Sequence, residues 1–332
     1  MVESADQLAA SAASHPGPAL SVVAPCFNEE EVLVELHRRV SAACRAVAAS
    51  YEIVLVDDGS TDATWSVLSR LAEDDPCVVA VKLSRNHGQA LALAAGLSVC
   101  RGERVLVIDA DLQDPPELLP ELLARMNCGA DVVYGQRRRR AGENPLKVWA
   151  AAVFYRVLNR LSDTPVPLDT GDFRLISRRV CDVLLAMPER HRFTRGMVSW
   201  MGFRQEPLLF DRAPRFAGRT KWPFRKRHRL ARDALIACST WPPKLAYLLG
   251  LVVTLAGLVL ALTALLAWAL GRPVPGAVGI LGGVALLGGV QLLVLGVLGE
   301  YLGRIYEQSC GRPLFIIEAI QGGHAQPGTV RG

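Results

Sequence analysis

The sequence predicts an α/β protein whose doubly wound, mainly parallel sheet is followed by two membrane-crossing helices. Two observations lead to this fold class. From Leu20 onward, short apolar segments alternate with amphipathic ones, which is the pattern of the strand–helix units that build a parallel sheet. Nearer the C terminus, residues 246–270 and 277–299 contain no charged side chain. Each is long enough to cross a hydrocarbon core of about 30 Å.

Five strands are predicted in the first half of the chain. Each is short, rich in Val, Ile and Leu, and apolar on both faces, as expected of strands buried in a parallel sheet. Their predicted ranges are Leu20–Ala24, Glu52–Val56, Val78–Leu83, Arg104–Ile108 and Asp131–Tyr134. Ligands bind at the carboxyl ends of such strands, so the residues that follow each strand are candidates for a site.

Amphipathic segments between the strands predict four connecting helices. Their ranges are Glu30–Ala48, Ala63–Ala72, Gln89–Val99 and Pro115–Met126. Asp114 is expected to cap the last of them, with Pro115 in its first turn and Glu117 completing a capping box. A further amphipathic helix is predicted at Lys147–Leu161, either packed on the core or lying at a membrane surface.

The charge distribution predicts how the chain is oriented in a membrane. Hydrophobic residues make up 51% of the sequence and the net charge is +5, while the mean hydropathy is +0.24. Basic residues crowd 223–245, and Arg304 and Arg312 follow the second apolar segment. Because basic residues favour the cytoplasmic side, we expect a multi-pass cell-membrane protein with both termini and the α/β domain in the cytoplasm.

Five regions are expected along the chain. They are a disordered lead-in at 1–19, an α/β domain at 20–222, a basic juxtamembrane segment at 223–245, two transmembrane helices at 246–299 and a cytoplasmic tail at 300–332. The lead-in does not read as a signal peptide, because it lacks a basic stretch followed by an apolar one.

The cysteine pattern argues against a disulfide framework or a zinc site. Eight cysteines are scattered along the chain without a CxxC pair. They are Cys26, Cys44, Cys77, Cys100, Cys128, Cys181, Cys238 and Cys310. Several fall on apolar faces of the predicted elements, so we expect reduced, buried thiols in a cytosolic domain.

The loop after the first strand excludes two common nucleotide-binding classes. A dinucleotide-binding sheet needs a Gly-rich turn there, whereas this chain has Pro25-Cys26-Phe27-Asn28-Glu29. The GxxxxGK[ST] pattern of a phosphate-binding loop does not occur in the sequence either.

Carboxylates cluster after two of the predicted strands. Asp57, Asp58 and Asp62 follow the second strand, and Asp109, Asp111 and Asp114 follow the fourth. Asp62 and Asp114 are expected to serve turns and caps. An Asp-x-Asp pair directly after a strand can present carboxylates to Mg²⁺ or Mn²⁺ and leave open positions for diphosphate oxygens.

Four motifs in this order resemble the inverting family-2 glycosyltransferases of GT-A fold. They are Pro25-Cys26-Phe27-Asn28-Glu29, Val56-Asp57-Asp58-Gly59-Ser60, Arg85-Asn86-His87-Gly88-Gln89 and Asp109-Ala110-Asp111-Leu112-Gln113-Asp114. Within that family the chain most resembles bactoprenol (undecaprenyl-phosphate) glucosyltransferases and is similar to dolichyl-phosphate mannose synthases. The segments Thr170–Leu175 and Gly299–Tyr306 also look like that subgroup.

The resemblance implies roles for the clustered residues. A nucleotide-sugar site would be lined by Pro25, Asn28, Glu29, Asp57, Asp58 and Asp109. The metal that neutralises the departing nucleoside diphosphate would be held by Asp109, Asp111 and Gln113. Asp111 and Asp172 are the predicted catalytic residues, Asp172 either as a base or by orienting the acceptor or sugar. His87 is expected to be a structural loop residue.

A lipid phosphate acceptor would need basic partners. Arg137, Arg215 and Lys221 are the candidates, because Arg binds phosphate in a bidentate manner and Lys binds it as a point charge. Arg195 and Trp200 match another segment of the family, which packing alone could also explain.

The resemblance implies inverting transfer of a hexose, with glucose from UDP-glucose favoured, to polyprenyl phosphate at the cytoplasmic membrane face. A mannose synthase of the dolichyl type or an aminosugar transferase on the same lipid is the alternative. A processive polysaccharide synthase would need more spans and a QxxRW-type motif, and the sequence shows neither. A non-catalytic membrane scaffold would not need to keep the clustered carboxylates together. No nucleic-acid partner is expected. Small residues in the spans, such as Gly282 and Gly283, permit close helix packing and hence a homo-oligomer.

Overall fold

The computed structural model describes residues 17–138, 170–190, 192–211 and 277–323, together with scattered positions between 248 and 270. The predicted helix at Lys147–Leu161 and the predicted basic segment at 223–245 lie outside these residues, as does nearly all of the predicted lead-in.

Within the described residues, eight strands form one mixed sheet. In chain order they are β1 (Leu20–Cys26), β2 (Tyr51–Asp57), β3 (Val78–Leu83), β4 (Arg104–Val107), β5 (Val132–Arg137), β6 (Thr170–Ser177), β7 (Gln205–Phe210) and β8 (Ile317–Gly322). Their order across the sheet is β7-β5-β6-β4-β1-β2-β3-β8. All five predicted strands are present, so the α/β fold class is confirmed.

The centre of the sheet is parallel and its flanks are mixed. Strand β1 runs parallel to both β2 and β4, and β2 runs parallel to β3. Strand β6 is antiparallel to both of its neighbours, β4 and β5. Strands β6, β7 and β8 have no counterpart among the predicted strands. In β6 the polar residues Asp172 and Arg174 interrupt the apolar pattern that identifies the others.

Helices cover both faces of the sheet. They are α1 (Leu33–Val47), α2 (Thr64–Asp74), α3 (Gln89–Val99), α4 (Leu119–Asn127), α5 (Arg178–Ala186) and α6 (Thr194–Trp200). One core cluster contains Leu36 of α1 with Val22 of β1, and the other contains Leu97 of α3 with Val23. Because successive residues of a strand point to opposite faces, β1 contributes to both clusters.

The start of α4 differs from the prediction. A 3₁₀ helix, Pro116–Leu118, precedes α4, and neither begins with a side-chain cap. The predicted capping box is therefore wrong: Glu117 instead binds Arg39, with Nε and Oε1 2.7 Å apart. Pro115 is extended and lies before the helical turn, because a residue that precedes a proline is pushed out of the helical conformation.

Part of the predicted tail belongs to the sheet. Strand β8 pairs antiparallel with β3, and Lys82 of β3 binds Glu318 of β8 across 2.9 Å. The N–H of Ser84 also donates to the carbonyl of Ile316 at 3.0 Å. The chain therefore returns to the sheet after the apolar region at 246–299.

The chain divides into two compact units, and the unit without the sheet contains α7 (Ala277–Ser309). The described positions between 248 and 269 are also helical. Among the residues that the structure describes, no helix is both long enough and apolar enough to cross a membrane. The two transmembrane helices at 246–299 stay a prediction.

A buried carboxylate holds the amino edge of the sheet together. Glu52 is buried and accepts hydrogen bonds from Ser21 Oγ at 2.6 Å and from the N–H of Arg101 at 2.5 Å. We expect Glu52→Ala to lower the free energy of unfolding by about 2–4 kcal/mol, because buried donors lose their acceptor. The exposed Glu73→Ala should cost less than about 0.5 kcal/mol. Equal thermal unfolding midpoints for the two purified variants would contradict this expectation.

Candidate active site

The loops that follow β1 and β2 hold each other in place. Asn28 has a φ of 52°, in the left-handed region that Asn tolerates better than most residues. Its N–H donates to Ser60 Oγ at 2.9 Å, and its Oδ1 accepts the N–H of Thr61 at 2.8 Å. The N–H of Glu29 donates to Thr64 Oγ1 at 2.9 Å. The predicted donor-binding residues Asn28 and Glu29 therefore lie beside the acidic loop after β2.

Asp57 lies at the end of β2, next to β1. The parallel register pairs it with Cys26 and pairs Pro25 with Val56. Its side chain is 1% exposed, and Oδ1 accepts the N–H of Ser60 at 3.0 Å. Its buried Oδ2 has no hydrogen-bond partner in the part of the chain that the structure describes. Because an unpaired buried carboxylate oxygen is costly, this atom is suited to receive a ligand donor.

Asp58 positions the loop between β3 and α3. It is buried, with Oδ1 accepting the N–H of His87 at 2.7 Å and Oδ2 accepting that of Gly88 at 2.9 Å. Burial raises the pKa of Asp58, and the two hydrogen bonds oppose that rise only in part. Burial also lowers the pKa of His87, and nearby Arg85 lowers it further. A neutral His87 ring fits the predicted structural role.

The acidic loop after β4 is fixed by α3 and by the core. Gln89 Nε2 donates to Asp109 Oδ1 at 2.8 Å, and Asp111 Oδ1 accepts the N–H of Gln113 at 3.2 Å. Between them, Leu112 is buried with a φ of 57°. A non-glycine residue in this conformation is strained, and such strain is concentrated at functional sites. Burial of Leu112 therefore holds the backbone that presents Asp111 and Gln113.

Strand β6 brings another acid to the same edge. Arg174 pairs with Val107 in the antiparallel register of β6 and β4, which places Asp172 beyond the end of β4, across from Asp109. Asp172 Oδ1 accepts a hydrogen bond from Arg195 Nε at 3.2 Å. It also lies 3.6 Å from Arg174 Nη2.

Arginines keep Asp172 ionised. Burial would raise its pKa, but the positive charges of Arg195, Arg174 and Arg137 prevail, and the pKa lies below its usual value. Burial lowers the pKa of Arg174 to about 10, against the attraction of Asp172 and Asp109, so this guanidinium stays protonated at neutral pH. An ionised carboxylate with a lowered pKa is a weak base. Of the two predicted roles for Asp172, the lowered pKa therefore favours orienting the acceptor or sugar over acting as a base.

Arg137, the last residue of β5, lies beside the start of β6 and close to Asp172. A Cβ built on Gly171 would be 3.3 Å from Arg137 Nη2 and 3.9 Å from Asp114 Oδ2, so both side chains lie against this glycine. Arg137 is thus at the acidic edge, as a phosphate-binding residue must be. The other two candidates, Arg215 and Lys221, lie outside the described residues.

The oxygen donors fit a divalent cation only in part. Among the described residues, no three His, Cys, Asp or Glu side chains cluster closely enough to hold a metal ion. Asp109 and Asp111 are hard oxygen ligands, and Mg²⁺ is commonly bound by one or two carboxylates together with substrate phosphates. The set therefore fits a metal whose coordination is completed by a diphosphate.

Comparisons with known proteins identify the family. The model of the family described as "Glycosyl transferase family 2" matches residues 21–185. An uncharacterized glycosyltransferase from Synechocystis sp. is 42% identical, covering 91% of this chain and 96% of its own. The chain belongs to glycosyltransferase family 2. The predicted family and enzyme class are confirmed.

Two further similarities come from a phage and from a solved structure. The bactoprenol glucosyl transferase of Shigella phage SfV is 39% identical to this glycosyltransferase, over 90% of this chain and 98% of that one. The crystal structure of mannosyl-3-phosphoglycerate synthase from Rubrobacter xylanophilus matches with a TM-score of 0.46 and 21% identity. That match covers 66% of this chain and 72% of the other.

Several residues that hold the glycosyltransferase site together were not among the predicted site residues. They are Glu30, Ser60, Thr61, Thr64, Gln89 and Arg174. Glu30 Oε2 accepts the N–H of Ala63 at 2.7 Å, just before α2. Asp62 accepts the N–H of Thr64 at 3.0 Å, and so serves the local turn as predicted. Gln89 and Arg174 both lie inside motifs that carry the family resemblance, which is the signal that could have singled them out.

Gly59 is the point where two loops of the glycosyltransferase site touch. Its φ is 66°, and a Cβ there would lie 2.5 Å from both the carbonyl carbon of Arg85 and the backbone nitrogen of Asn86. We expect Gly59→Ala to displace the loop after β3 and lower kcat/KM for the donor at least about tenfold. Gly202→Ala, at a φ of 71° with open space around its Cβ, imposes similar strain without a clash. Equal initial rates for both variants would contradict the contact-based explanation.

Proposed function

We propose that this enzyme transfers a hexose, with glucose from UDP-glucose favoured, to polyprenyl phosphate with inversion at the anomeric carbon. The acceptor and the sugar come from the names of the relatives, which include a bactoprenol glucosyl transferase. The observation that carries the proposal is the register of β4 and β6. It brings an acidic loop suited to a metal–diphosphate beside a carboxylate surrounded by arginines.

The donor would lie over the loops after β1, β2 and β4. Asn28, Glu29 and the unpaired oxygen of Asp57 border one side of this surface. Asp111, with Asp109 and Gln113, would hold Mg²⁺ or Mn²⁺ against the diphosphate. When bound, the cation offsets the negative charge that builds on the leaving group. Asp111 and Gln113 would be held in position for this role by Leu112, which lies between them in sequence and is buried.

The acceptor would approach from the side of β6. A phosphate monoester is anionic at neutral pH, because its second pKa is about 6, so its oxygen attacks without a strong base. Arg137 and Arg195 supply guanidinium groups near Asp172. Arginine can bind a phosphate in a bidentate manner. Asp172 would hold these guanidinium groups in place and orient the attacking oxygen opposite the leaving diphosphate.

Sugar transfer by the purified full-length protein tests this function. Undecaprenyl phosphate would be incubated with Mg²⁺ or Mn²⁺ and, separately, with labelled UDP-glucose, UDP-galactose, UDP-N-acetylglucosamine or GDP-mannose. We expect metal-dependent transfer from UDP-glucose. The product should be β-linked, because inversion reverses the α configuration of the donor. Transfer only from GDP-mannose or from the aminosugar donor would keep the reaction class and replace the sugar. No transfer from any donor by folded protein would overturn the proposal.

We further propose that residues 246–299 attach the enzyme to the cytoplasmic face of the membrane as a helical pair. Strands β7 and β8 flank this region in sequence and belong to one sheet, so the chain must cross a bilayer an even number of times between them. Helix α7 carries exposed apolar side chains, including Ile280 and Leu292. Its first charged residue is Glu300, which pairs with Arg304 across 3.2 Å. Such a change from apolar to charged suits a headgroup boundary.

Cysteine labelling tests this membrane topology. Arg272 lies in the sequence between the two proposed spans, and the native Cys310 follows them and is exposed. With a membrane-impermeant maleimide, we expect Arg272→Cys to be labelled in intact cells and Cys310 only after permeabilisation. Labelling of residue 272 only after permeabilisation would show that the segment does not cross.

A further inference from the structure

Two cysteines and one arginine meet at the amino edge of the sheet, away from the acidic loops. Cys100 follows the last residue of α3, and Cys181 lies in the first turns of α5. Both side chains are buried. The Cys100 thiol donates to the carbonyl of Leu97 at 3.3 Å, and the Cys181 thiol lies close enough to Cys100 to shift its pKa. Arg178, the first residue of α5, contacts both sulfurs: Nη2 is 3.5 Å from Cys100 Sγ, and Nη1 is 3.7 Å from Cys181 Sγ.

The surroundings of Arg178 leave its charge available to the thiols. Its Nε and Nη2 donate to the carbonyl of Gly102, at 2.9 and 2.7 Å. A carboxylate partner, Asp182, lies 3.5 Å away, but its side chain is 60% exposed. An exposed ion pair is weakened by solvent. A guanidinium beside a thiol favours the reactive thiolate.

Oxidation of two thiols to a disulfide requires one reactive thiolate and a second thiol that attacks afterwards. Cys100 and Cys181 differ in the way that these two steps require. The nearby Cys181 thiol lowers the pKa of Cys100, and Arg178 lowers it further against burial and nearby Glu52. Cys100 in turn raises the pKa of Cys181. Cys44 is buried as Cys100 and Cys181 are, but it shows the effect of burial, which raises its pKa to about 12.

We propose that Cys100 and Cys181 form a reversible disulfide, a redox-modification site separate from the acidic edge. With hydrogen peroxide as the oxidant, the Cys100 thiolate attacks one peroxide oxygen and the O–O bond breaks. The hydroxide that leaves takes up the proton that the Cys100 thiol had lost, so the products are a sulfenic acid and water. The Cys181 thiol then attacks the sulfenic sulfur, the S–S bond forms and a second water leaves. Two thiols and one peroxide thus give one disulfide and two waters. A dithiol reductant reverses the change.

The proposed bond would join two elements that reach the active site. Helix α3 begins at Gln89, whose side chain binds Asp109. Helix α5 directly follows β6, the strand that carries Asp172. The crosslink would therefore restrain these elements at the edge opposite the site, without touching any of the predicted site residues.

The test uses the full-length protein with the exposed thiols removed by Cys128→Ser and Cys310→Ser. Folded protein is treated with hydrogen peroxide, unfolded in an alkylating agent, digested without reduction and analysed by mass spectrometry. We expect a dithiothreitol-reversible crosslink between the peptides that contain Cys100 and Cys181, two hydrogens lighter than their sum. Alkylation of both cysteines after peroxide treatment, or a crosslink formed only in denaturant, would overturn the proposal.

Variants distinguish a reactive pair of thiols from two buried thiols that are only neighbours. Cys181→Ser should leave a Cys100 sulfenic acid that dimedone captures. Arg178→Gln should slow crosslinking at least about tenfold, whereas Arg179→Gln, at an adjacent exposed arginine that binds Asp131, should not. Unchanged crosslinking in Arg178→Gln would overturn the role of the guanidinium. If Arg178→Gln does not fold, absence of dimedone capture in Cys181→Ser would still overturn the proposal.

Discussion

Asp111→Asn is expected to lower kcat for sugar transfer by about 10²–10³-fold, the cost of removing one group that stabilises charge developing in a transition state. Asp62→Asn should leave kcat close to that of the unmodified enzyme. Both substitutions remove one negative charge from a loop at the same edge of the sheet. Asp62, however, accepts the N–H of Thr64 in a local turn, and an asparagine oxygen can still accept that hydrogen bond.

The physical reason lies in the strained loop after β4. Leu112 holds a φ of 57° while its side chain stays buried, so Asp111 has little freedom to move away when it loses its charge. Asparagine keeps the shape of the side chain and its bond to the N–H of Gln113. The loss should therefore report the missing charge rather than a collapsed loop.

Metal titrations distinguish a ligand from a residue that only supports the fold. If Asp111 binds the cation, the Mn²⁺ concentration that gives half-maximal transfer should rise in Asp111→Asn. The thermal unfolding midpoint without metal should change little. An unchanged metal requirement together with an unchanged kcat would remove Asp111 from the metal site.

The parallel half of the fold could be predicted because local pattern and tertiary environment agree there. Strands β1 to β4 are buried on both faces, so their apolar runs stand out in the sequence. Strand β6 could not be recognised in this way, because it carries Asp172 and Arg174 to the site. Strand β8 was missed because it follows the apolar region and pairs with β3 across a long sequence separation.

The candidate site likewise contains some features that the sequence pattern predicts and others that it does not. Asp57 and Asp109 follow predicted strands, so the parallel register alone brings their loops to one edge. The capping box at Asp114 failed because Pro116 forces Pro115 to stay extended, a local effect that outweighs the capping pattern. The expectation of buried thiols was wrong for Cys128 and Cys310, which are exposed. Burial of such residues depends on contacts that the sequence pattern does not encode.

Asp172→Asn is expected to lower kcat/KM for the lipid acceptor by about 10²-fold, without changing the shape of the pH–rate profile between about pH 5 and 8. Its pKa lies below the usual carboxyl value, so the wild-type group stays ionised throughout this range. An acid limb near pH 6 should appear in both enzymes, because the acceptor phosphate titrates there with a second pKa of about 6.

The sign of the stability effect follows from the same lowered pKa. A carboxylate whose pKa is lowered by folding stabilises the fold at pH values above its pKa in the unfolded state, about 3.9. This contribution is lost as the pH falls through the pKa of the folded state. Asp172→Asn should therefore lower the unfolding midpoint at pH 7, and the difference from the wild type should shrink below about pH 4. A stability difference that does not depend on pH would contradict the ion pairs as its source.

Arg195 provides the decisive comparison, because the two residues should act as one unit. Arg195 Nε donates to Asp172 Oδ1 at 3.2 Å, so Arg195→Gln and the double variant should lose little more activity than Asp172→Asn alone. Arg204→Gln, at an exposed arginine that binds Glu206 across 2.7 Å, should have almost no effect. If the acid limb of the wild type disappears in Asp172→Asn, Asp172 is a general base. If the limb persists and the losses do not add, Asp172 acts by holding the arginine that receives the phosphate.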